Sequence, residues 1–133
     1  KVAIGLLSVY VLAGLLGEKE FDTETLLFQI SMPGIDEEII CRGVMLGLMC
    51  SALREGGRPS LNPAIIINGI WFGLVHSLAF QNGEVVFSVA SFIVTGLVGY
   101  ALAYIALRTR SILIPMLTHN LFNFTNNLLS MIL

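Results

Sequence analysis

Three groups of polar side chains interrupt the apolar stretches of this 133-residue chain. The first is Glu37-Glu38 with Arg42, the second is His76 with Asn68 and Phe72 on the same helical face, and the third is His119 with Asn123 and Asn127 at i+4 and i+8. Carboxylate, imidazole and amide are the groups that accept protons and donate hydrogen bonds to developing negative charge, so together they outline a buried polar site suited to acid-base chemistry. Each group also has a plainer reading. Asp36 is a good helix N-cap, and acidic residues in a first turn suit the helix dipole of any protein. A lone interior histidine is more often a satisfied core residue than a catalyst. Asn120, Asn126 and Asn127 are read as hydrogen-bonding glue between helices.

Arg42 resists the plain reading, because it lies four residues after Glu38 and one turn deeper, where an ion pair has to give up its water. A rigid Glu38-Arg42 pair would hold the neighbouring Glu37 in place. His76 and His119 are the two histidines of the chain, and both lie well inside apolar segments. Ionisable groups are costly in hydrocarbon, at about 2.5–3.5 kcal/mol on insertion scales, so their presence there marks function.

The elements that must position these residues are helices in a membrane. Hydrophobic residues make up 56% of the chain and charged ones 12%, with mean hydropathy +0.86. Soluble domains carry roughly a quarter charged residues, so the apolar surplus here calls for lipid as a second solvent. Apolar runs cover residues 2–16, 35–53, 61–80, 85–107 and 112–133, separated by Gly-, Pro- and Arg-containing punctuation. The expected fold is all-α: one polytopic transmembrane bundle spanning 1–133, built of about five apolar segments with short loops between antiparallel neighbours. The first run, 1–16, is short for a span and is read as a truncated first helix of a longer protein. Residues 18–32 read as an acidic connecting loop followed by an interfacial piece.

Arg54, Arg58, Arg108 and Arg110 fall on one side of these spans, while Glu18, Glu20, Asp22, Glu24 and Glu84 fall on the other. The positive-inside rule puts the arginine loops in the cytoplasm and the Glu37 end toward the opposite face. Small residues recur every four positions at Gly43, Gly47 and Ser51, and again at Ser91, Thr95, Gly99 and Ala103, which reads as close helix packing. A net charge of -2 without a basic run offers no footprint for nucleic acid. Cys41 and Cys50 are too far apart along one helix to bridge.

Glu37-Glu38-Ile39-Ile40-Cys41-Arg42, Phe72-Gly73-Leu74-Val75-His76 and His119-Asn120-Leu121-Phe122-Asn123 resemble the EExxxR, FxxxH and HxxxN motifs of the CAAX-protease and bacteriocin-processing (CPBP, or Abi) family, in order and on separate segments. The likeness covers residues 34–129, the expected catalytic core. It departs at Cys41, where the family commonly has an aromatic residue before the arginine. The resemblance implies an integral, multi-pass membrane endopeptidase acting on a membrane-associated protein or peptide, prenylated in the Ras-converting branch. It implies that Glu37 activates water with His76, that His119 and Asn123 donate to the oxyanion, and that Glu38 and Arg42 support the site. The family has also been described as metalloproteases, and Glu37, His76 and His119 form an acceptable zinc set. No H-E-x-x-H helix is present, so the expectation is a metal-free site. Bacteriocin self-immunity or peptide maturation is an alternative role, and a transporter component or a non-catalytic scaffold is a rival from another class.

Overall fold

A computed structural model describes residues 21–53 and 62–133. Helix α1, Thr23–Ser31, starts at Asp22, whose carboxylate accepts from the Glu24 amide. The Thr25 hydroxyl bonded to Asp22 holds that carboxyl below the usual carboxylate range. Pro33 then opens α2, Pro33–Glu38, since a proline at the first helical position gives up no hydrogen bond. Its helical path continues through a π-helical segment, Ile39–Met45, into α3, Leu46–Leu53. Helix α4, Pro63–Ser77, is capped by Asn62, which accepts from the Ala64 amide at 2.8 Å. Strands β1, Leu78–Gln81, and β2, Glu84–Phe87, form an antiparallel hairpin. Helix α5, Val89–Thr109, is capped by Ser88 and ends at Arg110 in the left-handed region, and α6 spans Leu113–Ile132.

Several expectations are corrected here. The interfacial piece expected before Pro33 is helical, and its helix already begins at Thr23, inside the acidic stretch read as a connecting loop. Asp36 lies within the first turn of α2 and caps nothing. The fold is mostly helical, as expected, and the departure is local: the segments expected over residues 61–80 and 85–107 give up their facing ends to the hairpin. Its turn is Asn82-Gly83, with φ of 53° and 88°. An Asn-Gly pair supplies the positive φ that a tight hairpin turn needs, and the flanking β-branched and aromatic residues suit strands. Among the described residues one helix, Val89–Thr109, is long and apolar enough to cross a bilayer on its own; Pro63–Ser77 is apolar but shorter. The expected first span, 1–16, and the loop arginines Arg54 and Arg58 lie outside the described residues.

Helices α4 and α5 pack antiparallel and very closely. A Cβ on Gly73 would lie 2.7 Å from the Phe92 carbonyl oxygen, and one on Gly99 would lie 2.7 Å from Phe72 Cβ. That bears out the packing reading for Gly99 and Ala103, both buried. The Gly43 and Gly47 stripe behaves differently: among the described residues nothing lies within 4 Å of a Cβ at Gly47. Ala64, Ile65, Leu46, Ala103 and Ala106 form the apolar core. Helix α6 lies across α1 and α2, where buried Asn120 accepts from the Gly34 amide at 2.6 Å and donates to the Ser31 carbonyl at 3.1 Å. The structural role expected of Asn120 is the one it has.

The distribution of polarity is inverted relative to a water-soluble domain. Glu38, Arg42, Asn68 and His119 are buried, while Leu48, Leu97, Leu117 and Leu121 are each at least 60% exposed. Large apolar side chains turned outward with ionisable groups turned inward is the arrangement lipid selects.

Candidate active site

The π-helical segment is what seats the first polar group. It begins directly after Glu38, and its Cys41 carbonyl accepts both the Leu46 amide, five residues on, and the Nδ2 of Asn68 at 2.7 Å. Asn68 thereby ties this wide turn to α4. Helical π segments are rare and concentrate at functional sites.

Glu38 and Arg42 are fully buried and paired, Arg42 Nη1 donating to Glu38 Oε1 at 2.8 Å. Arg42 Nη2 donates to the Gly99 carbonyl at 3.0 Å, and the guanidinium lies 4.5 Å from the Phe72 ring centre. The same Glu38 oxygen receives His119 Nδ1 at 2.8 Å. One carboxylate thus fixes both a cation and the orientation of a histidine. The Glu38-Arg42 ion pair expected from their spacing is present, and Glu38 has a further partner, His119, that the spacing did not indicate.

His76 is fixed in a similar way. Its Nδ1 donates to the Phe72 carbonyl at 2.9 Å, and its ring stacks on Phe72 with centres 4.3 Å apart. With both Nδ1 atoms committed as donors, both Nε2 atoms point into the site. His76 Nε2 lies 3.5 Å and His119 Nε2 3.9 Å from the same atom, Glu37 Oε2. That oxygen is buried and has no hydrogen-bond partner. Such an atom is normally met by water or a ligand.

Glu37, His76, His119 and Asn123 line one cavity of about 250 Å³, with Phe72 between them. All four residues singled out from the sequence are therefore brought to one place, from α2, α4 and α6. The cavity is completed by residues that the sequence reading missed: Gln29 of α1, Val94, Thr95 and Val98 of α5, and Phe122 of α6. Thr95 sat in a small-residue stripe read as packing, and Gln29 in the stretch read as an interfacial piece. Asn127 also lines the cavity and donates to the Asn123 carbonyl at 2.9 Å. The lining positions on α5 begin roughly 8 Å from its first residue at about 1.5 Å per residue. The site is thus near the hairpin end of that span, away from Arg108 and Arg110.

Glu37, His76 and His119 supply donor types that hold zinc, each histidine with the anchored second nitrogen that metal ligands favour. Among the described residues, however, no three His, Cys, Asp or Glu side chains are gathered as a metal cage. What the arrangement offers directly is a carboxylate with two imidazole nitrogens near one of its oxygens, in a small volume that Asn123 also lines.

A protein-family model described as Type II CAAX prenyl endopeptidase Rce1-like matches residues 20–125, which include every residue of this cavity except Asn127. No curated protein and no solved structure gives a significant match.

Proposed function

We propose, from the premise that the chain belongs to the Rce1-like type II CAAX prenyl endopeptidase family, that it hydrolyses a peptide bond of a membrane-attached, CAAX-type protein or peptide at the Glu37 cavity. The family is membrane-embedded and acts on membrane-associated proteins. In this reading the described helical segments cross or line the bilayer in several passes, with the hairpin at one boundary. The observation that carries it is the approach of two histidine Nε2 atoms to the unpartnered Glu37 Oε2.

Two acceptors only 3.5 Å apart are unfavourable unless hydrogens lie between them. A water donating one O–H to Glu37 Oε2 and the other to His76 Nε2 meets both, and leaves its lone pairs for a substrate carbonyl. As its oxygen bonds to the carbonyl carbon, Glu37 takes its proton. Negative charge then gathers on the carbonyl oxygen, where the Asn123 amide and the His119 Nε2–H donate to it. Glu37 returns the proton to the departing amine nitrogen as the C–N bond breaks. No step uses a metal.

The test is cleavage of prenylated CAAX peptides by the purified protein in proteoliposomes, run in ¹⁸O-labelled water and repeated after exhaustive dialysis against a strong chelator. One labelled oxygen in the new carboxyl, at undiminished rate after dialysis, is expected. Activity that is lost on dialysis and restored by zinc would overturn the metal-free step. Absence of cleavage would overturn the assignment itself.

A further inference from the structure

The hairpin that joins α4 to α5 carries free strand edges beside the cavity. Every residue of its two strands is exposed, Phe80 by 75% and Val85 by 70%. A two-stranded hairpin alone is marginally stable, and its unpaired edges are templates for a further strand. The register says which backbone groups are unpaired. The Ser88 amide donates to the Ser77 carbonyl at 2.9 Å, so these two residues face each other as a hydrogen-bonded pair. Such pairs alternate with non-hydrogen-bonded ones along an antiparallel ladder. With Leu78 opposite Phe87 and Phe80 opposite Val85, those four residues turn their N–H and C=O groups outward, two on each strand. Among the described residues, no backbone bond from outside the hairpin meets them. Strand β1 begins two residues after His76, so its outer edge leads from the hairpin tip to the cavity rim.

We propose that the outer edge of β1 takes the substrate chain as a third, antiparallel strand, whose residues upstream of the cleaved bond pair with Phe80 and then Leu78. The inference rests on the endopeptidase reading above and deepens it to how the substrate backbone is held. An extended segment brought to the end of a helical bundle gives up water from its own amides, and each one left unpaired is a cost. Strand addition meets those amides with main-chain hydrogen bonds and asks nothing of the side chains. The direction follows from the topology. With the hairpin at a membrane boundary, the body of a membrane-attached substrate lies beyond its tip, so its tail enters at Gln81 and travels against β1 toward His76. Strand β2 leads instead into α5, whose cavity residues start only at Val94. Each strand residue advances about 3.3–3.4 Å, which sets the residue facing Leu78 roughly two positions before the cleaved bond.

The experiment is a backbone scan of the substrate, with the full wild-type chain in proteoliposomes and prenylated CAAX peptides N-methylated at one upstream amide at a time, side chains unchanged. Two amides spaced two residues apart donate to β1. Methylation of either raises KM by about two- to tenfold, the worth of one net hydrogen bond, with kcat preserved, and the amide between them tolerates the methyl group. On the protein, Phe80→Pro removes an outward N–H while leaving the hairpin's own bonds, and raises KM by a similar factor. Val85→Pro makes the same change on the opposite edge and leaves KM as it was. Should a proline variant fail to fold, the alternation read on the wild-type protein still decides. Equal sensitivity at every upstream amide, insensitivity at all of them, as burial of the hairpin in lipid would give, or equal effects of the two prolines overturn strand addition alone. A wild-type protein that cleaves none of the peptides, the unmethylated one included, overturns the endopeptidase reading instead.

Discussion

Glu37 and Glu38 are adjacent in sequence and nearly opposite in surroundings. Glu38 is buried to 0% exposure and shares one oxygen between Arg42 and His119, while Glu37 is 35% exposed with its Oε2 left without a partner beside two imidazole nitrogens. A buried carboxylate with charge-assisted partners on different segments behaves as a fastener. A carboxylate at a cavity wall, with water within reach and its geometry held by its neighbour, is free to exchange a proton. The difference teaches how two kinds of carboxylate can stand within one helical turn: Glu38 has one oxygen tied at 2.8 Å to both Arg42 and His119, although its Oε2 is unpartnered, whereas Glu37 has no tie that close and lines the cavity.

The largest effect is expected at Glu38. Glu38→Gln leaves Arg42 buried beside a neutral amide and costs about 3–5 kcal/mol of stability. It also releases His119 from its fixed orientation. Thermal melting in detergent reads the first consequence, and turnover of the surviving folded fraction reads the second. A melting temperature equal to that of the wild-type protein would dissolve the contrast between the two glutamates. On the cavity side, Asn123→Ala lowers kcat by about 10²–10³ with little change in KM, as loss of one oxyanion donor does. A change confined to KM would make Asn123 a substrate-positioning residue. The smallest effect concerns the frame behind both. Gly34→Ala puts a Cβ 2.5 Å from Asn120 Oδ1 and 2.6 Å from the Met116 carbonyl. It is expected to cost about 1–3 kcal/mol, the range for overpacking, visible as a lower melting temperature with kcat preserved.

Much of the site was legible in the sequence because its residues violate their surroundings. Glu37, Glu38, Arg42, His76, His119 and Asn123 are polar in apolar segments, and each of them reaches the site or its support. The partners that come from across the bundle were not legible. Nothing in local spacing says that Glu38 serves His119, that Arg42 reaches the Gly99 carbonyl, or that Thr95 lines a cavity, since those facts depend on how closely α5 approaches α4 and α2. The fold was read well where periodicity is helical and long, as over α6. It was read poorly where an apolar run changes period, as at the hairpin, although Asn82-Gly83 carried the turn signal. Hydropathy also misleads at α6: the histidine and asparagines that bring it to the cavity are the residues that lower its resemblance to a span.

The most direct measurement compares Glu37→Gln and wild-type protein in one preparation, following both melting and cleavage of a prenylated peptide. The amide keeps the size and most of the hydrogen bonding of the carboxylate but cannot take a proton from water. Unchanged melting with turnover reduced by about 10²–10⁴, the usual contribution of a general base, is the expected result. Turnover at the wild-type level would remove Glu37 from the chemistry and with it the division of labour between the two glutamates.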